Sequence, residues 1–244
     1  MKECSKSVLR RLHNPNFLRA YFKGEGVDVG GKPDPLSLYT ELFPGIRSVR
    51  TWDREDGDAE LMAGIEDGSY DFVHSSHCLE HVRDPRVALG NWFRILRPGG
   101  HLVVTVPDED LYEQGVFPST HNTDHKWTFT VWKTTSWSDR SIDVLDLVKE
   151  LGPSADVRKI EVIDQSFRYE LPRYDQTLTP VGECAIEFVV RKRRDAELEV
   201  HGMLPKDRQP LRELRIHLNQ YLHDQATLRR NNKDAPPFSD DSDL

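Results

Sequence analysis

The chain has 244 residues, enough for one sizeable α/β domain with added elements or for two small domains. Its formal net charge of −8 disfavours an extended nucleic-acid-binding face, which would need a basic footprint, so no nucleic acid is expected as a partner. Cys4, Cys78 and Cys184 have neither zinc-knuckle nor disulfide-framework spacing, and no run approaches the roughly 18 apolar residues of a membrane span; a soluble cytoplasmic protein is expected.

The first segment, residues 1–23, reads as a helical cap. Val8, Leu9, Leu12, Phe17, Leu18 and Phe22 form its apolar side, broken near His13-Asn14-Pro15-Asn16. "GVDVG" (26–30) is a short buried strand that runs into a glycine turn. "DPLSLYTELFPG" (34–45) reads as a helix stopped by Pro44-Gly45. "RSVRTWD" (47–53) and "YDFVHSS" (70–76) are strands. Asp84-Pro85 opens a helix carrying Val87, Ala88, Leu89, Trp92, Phe93 and Leu96, since proline suits a first turn. "RPGG" (97–100) is a tight turn, and "HLVVTVP" (101–107) is the most strand-like run.

Strands alternating with helices predict a parallel sheet with right-handed crossovers. Such sheets bind ligands outside the carboxyl ends of their strands. Chemistry is therefore expected at Gly30-Gly31, Asp53, Ser75-Ser76-His77 and Pro107-Asp108.

In the second half, "THNTDHKWTFTVW" (120–132) is dense in histidine and aromatic residues. "DRSIDVLDLVKELG" (139–152) reads as a helix with Asp139 as N-cap and Gly152 as its stop. Residues 157–167 and 183–193 read as two strands of a long-looped antiparallel hairpin. Pro210, Leu211, Leu214, Leu218, Tyr221 and Leu222 mark one face of a helix over 207–230, which points to docking on the domain or a modest homodimer, so the protein is expected to be a monomer or such a dimer. Residues 231–244 are acidic and proline-containing and read as a disordered tail.

In this order, "VDVGG" (27–31), "TWD" (51–53), "GDAE" (57–60), "DGSYDFVHSSHCLEHVRDP" (67–85), "ALGNWFRILRPGGHLVVTVP" (88–107) and the closing strand pair resemble a class I S-adenosylmethionine-dependent methyltransferase of the small-molecule type. The resemblance covers about residues 24–193, with residues 118–138 as a substrate-facing insert. It implies a Rossmann-like α/β fold with a seven-stranded, mostly parallel sheet, the last strand antiparallel, and helices on both faces. It also implies S-adenosylmethionine as cofactor. Gly30 and Gly31 would let the backbone approach the amino-acid end of that molecule. Asp28 would position the turn or attract the ammonium. Asp53 would take the ribose hydroxyls, as an acid does some 20 residues beyond the glycines of dinucleotide sites. Asp58 and Ala59 would meet the adenine, and Ser76 and His77 the methionine portion. One departure from the family's D-x-G-x-G turn is Lys32, which stands at its second glycine.

Methyl transfer is an in-line displacement that depends mainly on alignment, and a hydroxyl acceptor also needs a base. His121, Asp124 and His125 are the candidates. Three readings are open: His125 as a base oriented by Asp124, the three residues as divalent-metal ligands, or a solvated cap to the loop. No further acidic ligand is evident nearby, so no metal is assigned. The expected acceptor is a small molecule or glycan, most simply a sugar hydroxyl, with an amine as the alternative. Two other classes compete: a nicotinamide oxidoreductase, for which "GGKPDP" lacks GxGxxG, and a non-catalytic binding protein on the same fold.

Overall fold

A computed structural model describes residues 3–202 and residue 212; the expected helix over 207–230 and the tail over 231–244 lie outside the described residues. Helix α1 (Glu3–Leu12) and a single π-helical turn (Phe17–Tyr21) lead into β1 (Gly24–Val29). Then follow a 3-10 segment (Leu36–Leu42), β2 (Ile46–Trp52), β3 (Tyr70–Ser76), α2 (Pro85–Arg94) and β4 (Leu96–Pro107). After a second π turn (Glu109–Glu113) come β5 (Thr128–Thr130), β6 (Ser141–Asp143), α3 (Val144–Lys149), β7 (Ala155–Ile163), β8 (Ala185–Lys192) and α4 (Asp195–Glu199).

The main sheet runs β2-β1-β3-β4-β8-β7. β2, β1, β3 and β4 are mutually parallel, while β8 is antiparallel to both β4 and β7. This is the expected Rossmann-like α/β topology with its antiparallel last strand. The strand count differs: six are present among the described residues, not seven. Residues 53–69 hold Gly57, Gly64 and Gly68, all at positive φ, and many charges but no β-branched run, so they wind through turns instead of adding a strand outside β2. β2 is left as an edge, and Arg47 and Arg50 keep it charged.

Period-two alternation sends the two halves of each strand to two cores. On one face Val27, Val29, Val73, Leu102, Val104, Ile186 and Phe188 pack against α2 and α3 through Leu89, Trp92, Leu147 and Val148. On the other, Phe72, Val103 and Val189 pack under α1 and the first π turn through Cys4, Val8, Phe17, Tyr21 and Phe22. Helical elements thus cover both faces. This second face also carries a buried polar band: Asp28 pairs in register with His74, and Thr105 with Glu187. Arg11 of α1 inserts into it, with Nε 2.8 Å from Glu187 Oε2 and Nη2 3.2 Å from Thr105 Oγ1.

Three local expectations are corrected. The segment over 34–45 is a kinked 3-10 helix, broken at Tyr39 (φ −125°). Two carboxylates explain the kink: Asp28 takes the Leu36 amide at 2.7 Å, and Asp34 takes the Tyr39 hydroxyl at 2.5 Å. The turn "RPGG" does not stand apart from the next strand, because β4 begins at Leu96 and absorbs it as a register shift against β3. The helix expected over 139–152 begins only at Val144. Its cap is Asp143, not Asp139: Asp143 accepts from the Leu145 and Asp146 amides at 2.8 and 3.2 Å. Residues Ser141–Asp143 are held instead as a strand beside β5. Buried Glu109 fastens that small sheet by accepting from Thr128, Lys133, Ser136 and Ser141.

Candidate active site

The glycine turn after β1 is dictated sterically. Gly30 has φ +71°, and a Cβ there would lie 2.7 Å from both Cβ and Sγ of Cys78. A Cβ on Gly31 would meet Asp28 Oδ2 at 2.3 Å. That carboxylate is fully engaged: Oδ1 lies 2.6 Å from His74 Nδ1, and Oδ2 accepts from the Leu36 amide. Of the two roles open to Asp28, holding the turn is the one its contacts fill. Arg11 Nη1 donates to His74 Nε2 at 3.0 Å, so the ring proton is assigned to Nδ1, facing Asp28. Burial pushes the Cys78 thiol up to about 12, so it packs here as a small apolar group.

Beyond the strand ends lies a cleft of about 790 Å³ bordered by Gly30, Asp53, Asp58, Ala59 and His77. A cavity of about 180 Å³ adjoins it through Gly30 and His77 and reaches Asp28, Gly31 and Ser76. Every residue expected at the cofactor borders one or the other. Asp53 Oδ2 accepts from the Lys32 amide at 3.1 Å, so the end of β2 braces the turn as well as facing the cleft. The Lys32 ammonium pairs with Glu55 across the turn's mouth. Asp58 pairs with Arg83 at 3.0 Å, and the Ala59 carbonyl accepts from Trp92 Nε1 at 2.8 Å.

The opposite wall comes from the insert. Asn122, Asp124 and Lys126 line the cleft beside His81. This segment is docked on the loop after β3: the Lys126 amide donates to the Glu80 carbonyl at 2.9 Å, the Lys126 ammonium to the His81 carbonyl, and Trp127 Nε1 to the Val82 carbonyl at 3.2 Å. Residues 120–127 are irregular, with a turn at residues 123–124. Asp124 therefore does not orient His125. Its carboxylate lies 3.2 Å from His81 Nδ1, while His125 turns inward, 5% exposed, with Nδ1 2.7 Å from Glu113 Oε1. His121 and His125 both lie against the Tyr112 ring, at centroid distances of 5.6 and 5.2 Å, and neither lines the cleft.

The sequence suggests only a structural role for Glu80 within "LEH", holding the loop after β3, and gives no sign of Glu113 or Glu3. Glu80 is fully buried at the foot of this wall. Burial raises its pKa, but His77, His81 and His125 outweigh that and hold the carboxyl below its ordinary value. Conversely, burial presses the His77 imidazolium down, but Glu3 and Glu80 outweigh it, so its pKa lies above the ordinary value.

Residues 13–154, more than half of the chain, match a family described as a methyltransferase domain. An uncharacterised methyltransferase of Mycobacterium sp. (strain JLS) is 33% identical over 101 residues, which cover 41% of this chain and 38% of that protein. An uncharacterised 37.1 kDa protein in transposon TN4556 of Streptomyces fradiae is 50% identical over 71 residues, covering 29% of this chain and 19% of that one. The matches thus span well under half the length of these relatives. A solved SAM-dependent methyltransferase from Archaeoglobus fulgidus is 16% identical, with a TM-score of 0.47, over 79% of this chain and 95% of that one. The chain belongs to the methyltransferase domain family, within the class I S-adenosylmethionine-dependent methyltransferases.

Proposed function

We propose that this chain methylates a hydroxyl of a small polar acceptor, a sugar or glycan end, with S-adenosylmethionine as the methyl donor. The observation that carries the reading is that one cleft joins the Gly30–Asp53 edge to a polar wall made by His81, Asn122, Asp124 and Lys126. A cleft of about 790 Å³ suits a ligand of the donor's size, and the space denied to a Cβ at Gly30 is what close backbone approach requires. Gly30, Gly31, Ser76 and His77 would hold the amino-acid end, Asp53 the ribose, and Asp58 with Ala59 the adenine. The donor supplies an activated methyl, whose bond to sulfur breaks as its bond to the acceptor oxygen forms, with S-adenosylhomocysteine as the other product. Asp124 takes the hydroxyl's proton. Its carboxylate is 59% exposed, and His81 orients it. The base therefore moves from His125, which is walled in, to its neighbour.

The test is a screen of cell extracts with methyl-labelled donor, followed by chemical identification of the product. An O-methyl ether is the expected result, and a methylamine overturns the hydroxyl assignment. With the acceptor found, Asp124→Ala should lower turnover by about 10²- to 10⁴-fold at unchanged cofactor affinity.

A further inference from the structure

Glu80 is an anomaly for a buried carboxylate. It is 0% exposed, and neither oxygen has a hydrogen-bond partner among the described residues. Such a group normally costs stability unless something compensates its charge. Histidine nitrogens surround it at distances too long for good hydrogen bonds: His77 Nδ1 at 3.5 Å, His81 Nε2 at 3.7 Å and His125 Nε2 at 3.9 Å from Oε1.

The orientation of two of these rings is set from outside. His125 Nδ1 is held by the Glu113 carboxylate at 2.7 Å, and His81 Nδ1 by Asp124, through Oδ2 at 3.2 Å and the carbonyl at 3.1 Å. In their neutral forms, with the proton assigned to Nδ1, both rings turn an Nε2 lone pair toward the Glu80 anion, and His125 Nε2 is itself buried without a partner. Lone pairs directed at a carboxylate repel it unless a cation lies between them. The ligand atoms of Glu80, His81 and His125 all lie within 4.8 Å of one another. Metal–ligand bonds of about 2.1 Å at tetrahedral angles put ligand atoms about 3.4 Å apart, close to the separations measured here. Carboxylates behind ligating imidazoles are the usual means of fixing ring and tautomer in metal sites.

We propose that Glu80, His81 and His125 bind one divalent transition-metal ion, Zn²⁺ being the fitting probe. Two imidazoles and one carboxylate suit such an ion better than Mg²⁺ or Ca²⁺, which take oxygen ligands. Three protein ligands leave a position open, and His81 borders the cleft. Resting on the acceptor reading above, the ion would take the acceptor hydroxyl at that position, lower its pKa and so ease loss of its proton to water in the cleft. This ligand set shares only His125 with the one suggested by spacing in the sequence, because Asp124 supports His81 from outside.

The test uses the full chain, stripped with a chelator and titrated with Zn²⁺ by calorimetry. One ion per chain with Kd below about 1 µM is expected. His125→Ala and Glu80→Gln should each weaken binding on the order of 100-fold. Glu113→Ala should weaken it by roughly 10- to 100-fold through the ring it holds. S-adenosylmethionine affinity, measured on the same samples, should persist in all of them, and its loss from the wild type would indict the methyltransferase reading instead. If a variant does not fold, the wild type with Co²⁺ decides: an intense visible band of low-symmetry nitrogen coordination supports the site, and a spectrum like the aqueous ion overturns it. Absence of stoichiometric Zn²⁺ binding, or unchanged affinity in folded variants, also overturns it.

Discussion

Arg11 donates to His74 Nε2 at 3.0 Å, and through that ring it reaches Asp28 and the glycine turn. The same guanidinium lies 2.8 Å from the buried Glu187 on the far strand β8. One side chain from the N-terminal helix thus ties the glycine turn after β1 to the antiparallel end of the sheet. Removing it leaves a buried carboxylate short of a partner, which typically costs about 3–5 kcal/mol. Arg11→Ala should lower the urea midpoint accordingly and also weaken S-adenosylmethionine binding. A loss below about 1 kcal/mol would mean that Arg10 and Lys159, which also reach Glu187, suffice.

At the turn, Gly30→Ala combines a left-handed backbone with a Cβ placed 2.7 Å from Cys78. The backbone part alone costs about 1–2 kcal/mol. The turn must open to relieve the clash, so cofactor binding should fall below detection in calorimetry while the far-UV spectrum stays native. Normal affinity would show that the turn does not hold the ligand.

Asp53→Ala should weaken S-adenosylmethionine binding by about 1.5–3 kcal/mol, the range for hydrogen bonds to a charged group. Asp53→Asn should recover part of this, since an amide oxygen can still accept from the Lys32 amide. Equal affinity for all three proteins would remove Asp53 from the ribose.

His101 predicts a pH dependence of stability. Burial, reinforced by Arg191 and Arg158, lowers its pKa to about 4. Between about pH 6.5 and 4 the unfolded chain takes a proton that the folded chain refuses, so stability falls with pH across that window, by on the order of 3 kcal/mol. Asp108 acts oppositely: burial raises it to about 6, so between about pH 4 and 6 the folded state holds a proton that the unfolded state lacks. The two partly cancel, and the diagnostic measurement is a difference. His101→Gln should lose less stability than the wild type when both are taken from pH 7 to pH 4.5. Parallel pH profiles would contradict the assignment.

The individual elements were legible in the sequence because they rest on local rules, and their arrangement in one sheet was implied by the family resemblance. Valine runs ending in small polar residues mark β1 and β3, Asp84-Pro85 caps α2, and the closing hairpin follows from two strand-like runs. Gly30, Asp53 and Ser76 stand where their strands end, and strand ends can be read along the chain.

The far wall of the cleft could not be read that way. Whether Asp124 faces His125, its neighbour in sequence, or His81, some forty residues earlier, depends on how a turn-built insert docks on the loop after β3, through hydrogen bonds such as Lys126 to the Glu80 carbonyl. Such docking has no period in sequence. The roles of Glu80, Glu113 and Glu109 likewise arise only where distant segments bury a carboxylate together, because a charge's cost and use depend on what surrounds it in three dimensions. The sequence by itself determined most of the strands and the residues at their ends, while their order in the sheet was expected from the family resemblance. Only the tertiary structure decided which acids and histidines face one another, because long-range burial, not local propensity, sets those pairs.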